Sequence, residues 1–447
     1  MNGHKVYVEN LGCAKNQVDA EVMVASLAED GYEPVENADE ATLIIVNTCG
    51  FIESARAESI DAFFELKNQY PDKKILFTGC LAQRYSQELK DELTEADAIF
   101  GNRDLKEINS VVKAVEEGNR VVLTPEYPDV KSDYDTRGKL FNYPGSAYLK
   151  ISEGCNHRCR YCAIPLIRGA LRSRPEKAVL EDAAHLLDSG VKEINIIAQD
   201  LAAYGTDREG KESAFLPLLE KIASLEGDFS IRLLYIHPDA FPLELLDLMK
   251  RYPKIIPYFD IPFQHADTRV LSKMGRTGDK NTYLALIDTI RTAFPEATIR
   301  STIMLGFTGE DDQTFTTLME FLEEARLDYV GTFLFSLEEG TPAFDDCSIP
   351  EYEKRIGSAR RYKSEVEKLC ESITVSRLEQ YVGTEMDVLI EELIDQEDLA
   401  IGRTRFQAPE VDGLTVVMGQ NLVAGTVVRC GITKVNGVDL EAVVIEQ

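Results

Sequence analysis

The sequence has no apolar run long enough to cross a bilayer. Its longest stretches, such as TLIIV at Thr42–Val46, fall far short of the roughly 20 residues a membrane helix needs. No secretory leader is expected: MNGHKVYVENLGC carries one early lysine and then runs into strand-like alternation, with no apolar segment between. A cytoplasmic protein is expected. Cationic residues are scarce, with 48 Lys plus Arg against 77 Asp plus Glu and a net charge of −29. Such a surface repels phosphate backbones at long range, which disfavours direct nucleic-acid binding and anionic membranes but not a basic partner. Apolar residues are not scarce: at 44% of 447 residues they can furnish a core for each of roughly three domains of about 150 residues.

The expected fold class is α/β with a small all-β piece at the end. In residues 1–118, strands are predicted at Lys5–Leu11, Thr42–Asn47, Lys74–Thr78 and Ala98–Phe100, with helical patterns at Val18–Asp30, Glu53–Gln69, Gln83–Leu93 and Leu105–Glu117. That alternation implies an open parallel sheet covered by helices. Residues 119–145, with Pro125, Pro128 and Pro144 and no sustained period, read as a linker. Residues 146–379 hold six further strand patterns, at Ala147, Glu193, Ile231, Pro257, Thr298 and Tyr329, separated by helical ones. Six βα units suit a partial barrel rather than a closed eight-stranded one. From 380 to 447, short β-rich pieces between glycines (MDVLIEEL, TVVMG, LVAGTVVRC, EAVVIEQ) point to a small β-barrel.

Nine cysteines in a reducing compartment do not read as a disulfide framework, so their positions are the main functional signal. Cys155, Cys159 and Cys162 lie in SEGCNHRCRYCAIP, just after the first strand of the second series. One tight loop can present three thiolates to an iron–sulfur cluster and leave the fourth iron open to a substrate or cofactor. A zinc site with His157 as fourth ligand is the competing reading; it is the weaker, because the His157 ring sits inside the loop where the sulfurs need space. Cys13, Cys49 and Cys80 are far apart in sequence, yet each ends a different predicted parallel strand. Those ends line one edge of an open sheet, where ligands gather. Three independent small buried hydrophobes are the alternative, against which stand three successive strands ending in Cys, two of them preceded by Gly12 and Gly79. Two three-cysteine clusters, each with one open iron, are expected. Cys347, Cys370 and Cys430 have no grouping, and packing is expected for the last two.

These motifs resemble a known family. The cysteine loop at the head of a βα barrel is similar to the radical S-adenosylmethionine superfamily. With the N-terminal three-cysteine domain and a terminal barrel similar to the TRAM module, the chain resembles the methylthiotransferases over essentially its whole length. GCAKNQVDAE from Gly12, IRGALRSR from Ile167, IIAQDLAAYG from Ile196, DIPFQHA from Asp260 and APEVDG from Ala408 are similar to the branch that methylthiolates an aspartate of small-subunit ribosomal protein S-twelve. The branch that modifies an adenosine in transfer RNA typically has GQN where this chain has Ala198, Gln199 and Asp200. One departure is Thr308 in GFTGE, where the branch has Pro; both glycines remain.

The resemblance implies two 4Fe-4S clusters and S-adenosyl-L-methionine as cosubstrate. The cluster on Cys155, Cys159 and Cys162 would bind the amino and carboxylate groups of S-adenosylmethionine and cleave it to a 5′-deoxyadenosyl radical, which would take hydrogen from the aspartate β-carbon. The cluster on Cys13, Cys49 and Cys80 would hold the incoming sulfur, and a second S-adenosylmethionine would give the methyl group. No side-chain acid or base carries the chemistry in this reading, because so weakly acidic a C–H bond is left to a cofactor. A sulfur donor and a low-potential electron donor are implied as partners.

Further candidates surround these triads. Tyr161 is placed for its backbone to meet the adenine, and Gln199 and Asp200 end a barrel strand where they either reach the cofactor or cap the strand. Arg300, Gly306, Gly309 and Glu310 stand in TIRSTIMLGFTGE, which resembles the adenosine-contacting segment of the superfamily; its glycines serve a tight turn equally well. Arg168, Arg172 and Arg174 either orient an acidic group of target or cofactor or begin a solvated helix, and His185 is expected to be structural. A plain iron–sulfur carrier does not explain why both triads lack a fourth cysteine. Between Tyr381 and Gln447 stand four basic and twelve acidic residues, a net −8. An RNA-binding barrel needs a positive groove, so docking of a basic ribosomal protein is the expectation, with an on-rate raised by complementary charge and lowered by salt.

Overall fold

The computed structural model describes residues 3–127, 137–394 and 397–445. The chain forms two compact units, one of Met1–Phe141, Ser152–Asn156 and Ala163–Asp182, the other of Asn142–Ile151, His157–Cys162 and Ala183–Gln447.

In the first unit, β1 (Lys5–Asn10), β2 (Glu33–Pro34), β3 (Leu43–Thr48), β4 (Lys74–Gly79), β5 (Ala98–Phe100) and β6 (Val121–Leu123) make one parallel sheet in the order β2-β1-β3-β4-β5-β6. Alternate residues face opposite layers. Val6, Ile45, Leu76 and Phe100 pack on the helices Ala14–Glu29 and Ile108–Glu116 through Met23, Leu27, Ile108 and Val112. Ile44, Val46, Ile75, Phe77 and Ile99 pack on the other face against Phe63, Leu81 and Leu89. Burial on both faces explains why β3 reads as the continuous run LIIVNT rather than as alternation. The strand order reverses between β1 and β3, and in open parallel sheets the crevice at such a reversal is where ligands bind.

Three features of this unit differ from the sequence reading. The first helix begins at Ala14, not Val18, because Lys15, Asn16, Gln17, Asp19 and Glu21 are buried polar residues that hide its start. The predicted helix Gln83–Leu93 is two helices, Cys80–Arg84 and Ser86–Glu92, broken at Tyr85 with φ −119°. The stretch 119–145 contributes β6 to the sheet edge, and Arg137 within it is buried, bonding Glu21 at 2.6 Å and Asp182 at 3.2 Å. Residues 128–136 of that stretch lie outside the described residues.

The second unit starts with β7 (Ser146–Lys150). The next two strands, β8 (Ser152–Glu153) and β9 (Arg172–Ser173), form a short antiparallel ladder that belongs to the first unit. β10 (Glu193–Ile197), β11 (Ser230–Leu234), β12 (Ile255–Asp260), β13 (Thr298–Leu305) and β14 (Tyr329–Leu334) then add to β7 one after another, all parallel, in the order β14-β13-β12-β11-β10-β7. Six sequential parallel strands with two open edges are the expected partial barrel. The long helix Ile349–Leu378 follows, opened by a capping box of Ser348 and Glu351.

β15 (Glu385–Leu393), β16 (Leu399–Thr404), β17 (Thr415–Met418), β18 (Val427–Asn436) and β19 (Asp439–Val444) close a small barrel around Val388, Ile390, Ala400, Val417, Cys430, Ile432 and Ala442. β16 carries no signal in the sequence pattern because Gly402 interrupts it. A Cβ at Gly402 would lie 2.4 Å from the Leu389 carbonyl oxygen, so the two strands approach too closely for any side chain there. Buried Arg403 of this barrel bonds Glu391 at 2.8 Å and Glu193 of β10 at 2.9 Å, and Arg232 of β11 takes the other Glu193 oxygen at 2.8 Å. Among the described residues, no helix is long and apolar enough to cross a membrane.

Candidate functional site

The strand ends of the first unit bring Cys13, Cys49 and Cys80 to one edge. Cys13 follows β1 and is the N-cap of the helix Ala14–Glu29, where its carbonyl accepts from the Asn16 and Gln17 amides; Cys49 follows β3; Cys80 follows β4 and opens its own helix. Their glycine neighbours show how tightly the three ends pack. A Cβ at Gly12 would lie 3.0 Å from Cys49 Cβ and 3.4 Å from its sulfur, one at Gly50 2.8 Å from the Leu81 amide, and one at Gly79 2.6 Å from Asn47 Oδ1. Asn16 ties the ends together by donating to the carbonyls of Leu11, Asn47 and Thr48 at 2.6, 3.3 and 3.2 Å. The thiols grade from exposed Cys13 through half-buried Cys49 to buried Cys80. Burial pushes the Cys49 thiol up and the Cys80 thiol up to about 12, with Arg168 pulling both back down.

Cys80 lies in a polar pocket that the sequence reading missed. Asn102 Nδ2 donates to its sulfur at 3.3 Å and Arg168 Nη2 at 3.5 Å, while Asn16 Oδ1 lies 3.6 Å away. Arg168, 3% exposed, also donates to Asp19 Oδ2 at 2.7 Å and to both Glu153 oxygens at 3.0 and 3.2 Å. Arg168 is therefore not part of a solvated helix start, and the carboxylates it holds are this chain's own. Arg174 is likewise buried on Asp182 at 3.0 Å, and Arg172 stacks over the Tyr127 ring at 3.6 Å. The available signal was the polar face of GCAKNQVDAE, whose acidic and amide groups are costly to bury without partners.

Of the second triad, Cys155 falls in the first unit and Cys159 and Cys162 in the second. In the first unit, Cys155 donates its amide to the Gly169 carbonyl at 3.1 Å, and a Cβ at Gly154 would lie 2.1 Å from the Ala170 oxygen. In the second unit, Cys162 closes a turn onto the Cys159 carbonyl at 3.1 Å, and Arg160 donates its amide to Met274 at 3.0 Å. All three sulfurs belong to half-buried residues. His157 Nε2 is bonded to Asp200 Oδ2 at 2.7 Å and its ring stacks on His237 at 4.2 Å, so it is not presented as a fourth ligand. Among the described residues, no three His, Cys, Asp or Glu side chains converge as the ligands of a single ion do. At the β1–β3 crevice, three thiols at the ends of neighbouring strands are donors of the kind that iron–sulfur clusters take.

At the carboxyl edge of the half-barrel, several buried polar atoms have no hydrogen-bond partner among the described residues: both amide atoms of Gln199, Thr308 Oγ1, Glu310 Oε2 and His265 Nε2. Orphaned groups of this kind need a bound partner to offset their desolvation. Gly306, at φ +87°, gives its amide to Glu310 Oε1 at 3.0 Å, and Glu310 Oε2 stands 3.8 Å from His265 Nε2. His265 Nδ1 accepts from the Asp267 amide, which leaves the proton on Nε2. Burial raises the Glu310 carboxyl to about 7 and lowers His265 to about 4. Tyr161 is buried, its hydroxyl accepting from Arg276 at 3.1 Å. Asp200 is buried and bonded to His157 and to the His237 and Ala202 amides. Arg300 is committed to Asp260 at 3.0 Å and to Asp412 at 3.3 Å. Cys370 and Cys430 are buried, and Cys347 accepts from Arg355 at 2.8 Å.

The sequence matches three families: Uncharacterized protein family UPF0004 over residues 5–101, the Radical SAM superfamily over 149–322 and the TRAM domain over 382–445. Curated relatives named ribosomal protein uS12 methylthiotransferase RimO span nearly the whole chain. That of Treponema denticola is 41% identical over 97% of this chain and 99% of its own length, and that of Clostridioides difficile is 40% identical over 98% of each. Among solved structures, the radical S-adenosylmethionine methyltransferase TsrM from Kitasatospora setae, with tryptophan and an S-adenosylmethionine analogue bound, aligns with a TM-score of 0.58 at 15% identity, covering 76% of this chain and 74% of TsrM. That likeness is one of fold.

Proposed function

Because the chain belongs to the ribosomal protein uS12 methylthiotransferase RimO family and is a radical S-adenosylmethionine methylthiotransferase, we propose that it methylthiolates the β-carbon of an aspartate in small-subunit ribosomal protein uS12. The observation that carries this reading is the name shared by relatives about 40% identical over nearly the full chain. Charge in the last barrel supports it. Three of its four cations are ion-paired with acidic neighbours, Arg403 with Glu391, Arg429 with Asp387 and Lys434 with Glu441. Only Arg405 faces out without an acidic partner among the described residues, which leaves no cationic track for an RNA backbone. A basic ribosomal protein in the cytoplasm suits this surface.

The radical S-adenosylmethionine family carries a 4Fe-4S cluster and S-adenosylmethionine, which together supply a radical able to break an unactivated C–H bond and a methyl donor. Cys155, Cys159 and Cys162 would hold that cluster. Cys13, Cys49 and Cys80 would hold a second cluster at the β1–β3 crevice, where the incoming sulfur is kept. Gln199 offers a donor and an acceptor, and Glu310 and Gly306 form a turn, where the polar groups of S-adenosylmethionine would lie. The Tyr161 backbone would meet the adenine. Asp200 acts through His157, fixing the cysteine loop, and Arg300 acts through Asp260 and Asp412 to hold the strand end and barrel in register. Burial around these groups excludes water that would quench a radical.

Anaerobic cluster reconstitution followed by turnover with S-adenosylmethionine, offering purified uS12 and transfer RNA together, tests the substrate. Mass analysis is expected to find the methylthio group on a uS12 aspartate. Methylthiolated RNA beside unmodified protein would overturn the assignment.

A further inference from the structure

Of the three thiols at the β1–β3 crevice, only that of Cys80 receives side-chain N–H donors among the described residues. Asn102 Nδ2 reaches its sulfur at 3.3 Å and Arg168 Nη2 at 3.5 Å. Both donors are held from behind. The Asn102 backbone amide is fixed on Gln83 Oε1 at 3.1 Å, and Arg168 is clamped by Asp19 at 2.7 Å and Glu153 at 3.0 Å, so its planar fork is aimed and not merely near. Asn102 and Arg168 are both buried. The third neighbour, Asn16 Oδ1 at 3.6 Å, accepts a hydrogen bond from the thiol S–H; a thiolate that ligates iron no longer donates it, and the two donors remain.

We propose that Asn102 and Arg168 are positioning residues that set the reduction potential of the cluster held by Cys13, Cys49 and Cys80, by donating two hydrogen bonds to the Cys80 thiolate. This rests on the two-cluster reading. One electron from a low-potential donor adds one negative charge to a cluster whose ligand sulfurs share it. N–H donors to a ligand sulfur stabilise that reduced state more than the oxidised one and raise the potential. The guanidinium charge is offset by Asp19 and Glu153, so the aimed N–H groups, more than net charge, carry the effect. The Cys80 iron becomes electronically distinct from those on Cys13 and Cys49.

The test uses full-length protein carrying Cys155→Ala, Cys159→Ala and Cys162→Ala, reconstituted anaerobically, with the midpoint potential read by dithionite titration under electron paramagnetic resonance. Asn102→Ala removes one donor without changing charge and strands nothing, since Asn102 Oδ1 has no partner among the described residues. It is expected to shift the reduction equilibrium about tenfold toward the oxidised cluster, a drop of about 59 mV for one electron. Arg168→Lys keeps the charge but loses the fork and is expected to shift the potential the same way; should it fail to fold, Asn102→Ala decides. Loaded Asn102→Ala protein with the parent's midpoint and spectrum would refute the inference alone. A parent that takes up no iron would overturn the two-cluster reading, and the inference with it.

Discussion

Gly79→Ala tests whether the crevice geometry is what the strand ends enforce. Gly79 precedes Cys80 with φ +95°, and a Cβ there would lie 2.6 Å from Asn47 Oδ1, 2.7 Å from the Thr48 oxygen and 2.8 Å from the Thr48 nitrogen. Two costs follow: strain of about 1–3 kcal/mol, because at φ +95° and ψ −153° the backbone is in a region essentially only glycine adopts, and overpacking of about 1–3 kcal/mol. Gly31 is the control, because it has φ +87° and nothing within 4 Å of its Cβ position, so Gly31→Ala bears strain alone. Destabilisation is therefore about 2–6 kcal/mol at Gly79 and about 1–2 kcal/mol at Gly31. Because two compact units need not unfold together, native-state hydrogen exchange on β3 and β4 is the right assay. About 2 kcal/mol corresponds to roughly 30-fold loss of protection. Iron uptake by the Cys13, Cys49 and Cys80 site should fall in Gly79→Ala only. Equal protection and equal iron in the two variants would refute the reasoning.

Other predictions follow from the second unit. Burial holds Glu310 protonated up to about pH 7, against an ordinary carboxyl near 4.5, so it loses stability as pH rises between those values and stays destabilised above them. Glu310→Gln should melt higher than the parent at about pH 8, by up to about 3 kcal/mol, and like it at about pH 4; an equal difference at both would contradict this. Burial pushes the Glu193 carboxyl up, but Arg232 and Arg403 pull it down to about 2. Arg403→Met should cost about 3–5 kcal/mol at neutral pH. The gap should narrow as pH falls from 4.5 through 2, as Glu193 becomes protonated in both proteins, and thermal melts across that window read it. Replacing exposed Glu392 and Glu397 by Lys should slow uS12 association in stopped flow and flatten its salt dependence; an unchanged rate would move the docking surface elsewhere.

Much of the fold was legible because the signals were periodic. The six strands of the half-barrel and the four core strands of the first sheet follow runs such as LIIVNT and KILFTG, bounded by turn residues. Strand β2, of two residues, and strand β6, of three, were too short to stand out, and β16 was masked by Gly402. Cys13, Cys49 and Cys80 could be placed at one sheet edge from strand ends alone. Their polar surroundings could not: Arg168 meets Asp19 and Cys80 across separations of 149 and 88 residues, and a polar residue inside a core looks like a surface residue until its partner is placed. The same holds for Arg137, read as part of a linker and found on Glu21 and Asp182. Arg300 was picked out only as part of TIRSTIMLGFTGE, and the two carboxylates that hold it were not legible.

On the proposed function, two separate cysteine triads would each hold one cluster. Mössbauer spectroscopy with iron and sulfide counting on three reconstituted proteins tests it directly: the parent, the Cys155→Ala, Cys159→Ala, Cys162→Ala variant, and the Cys13→Ala, Cys49→Ala, Cys80→Ala variant. The account predicts two clusters in the parent and one in each variant, with S-adenosylmethionine perturbing only the cluster that survives loss of Cys13, Cys49 and Cys80. A parent with a single cluster, lost entirely with Cys155, Cys159 and Cys162, would contradict it.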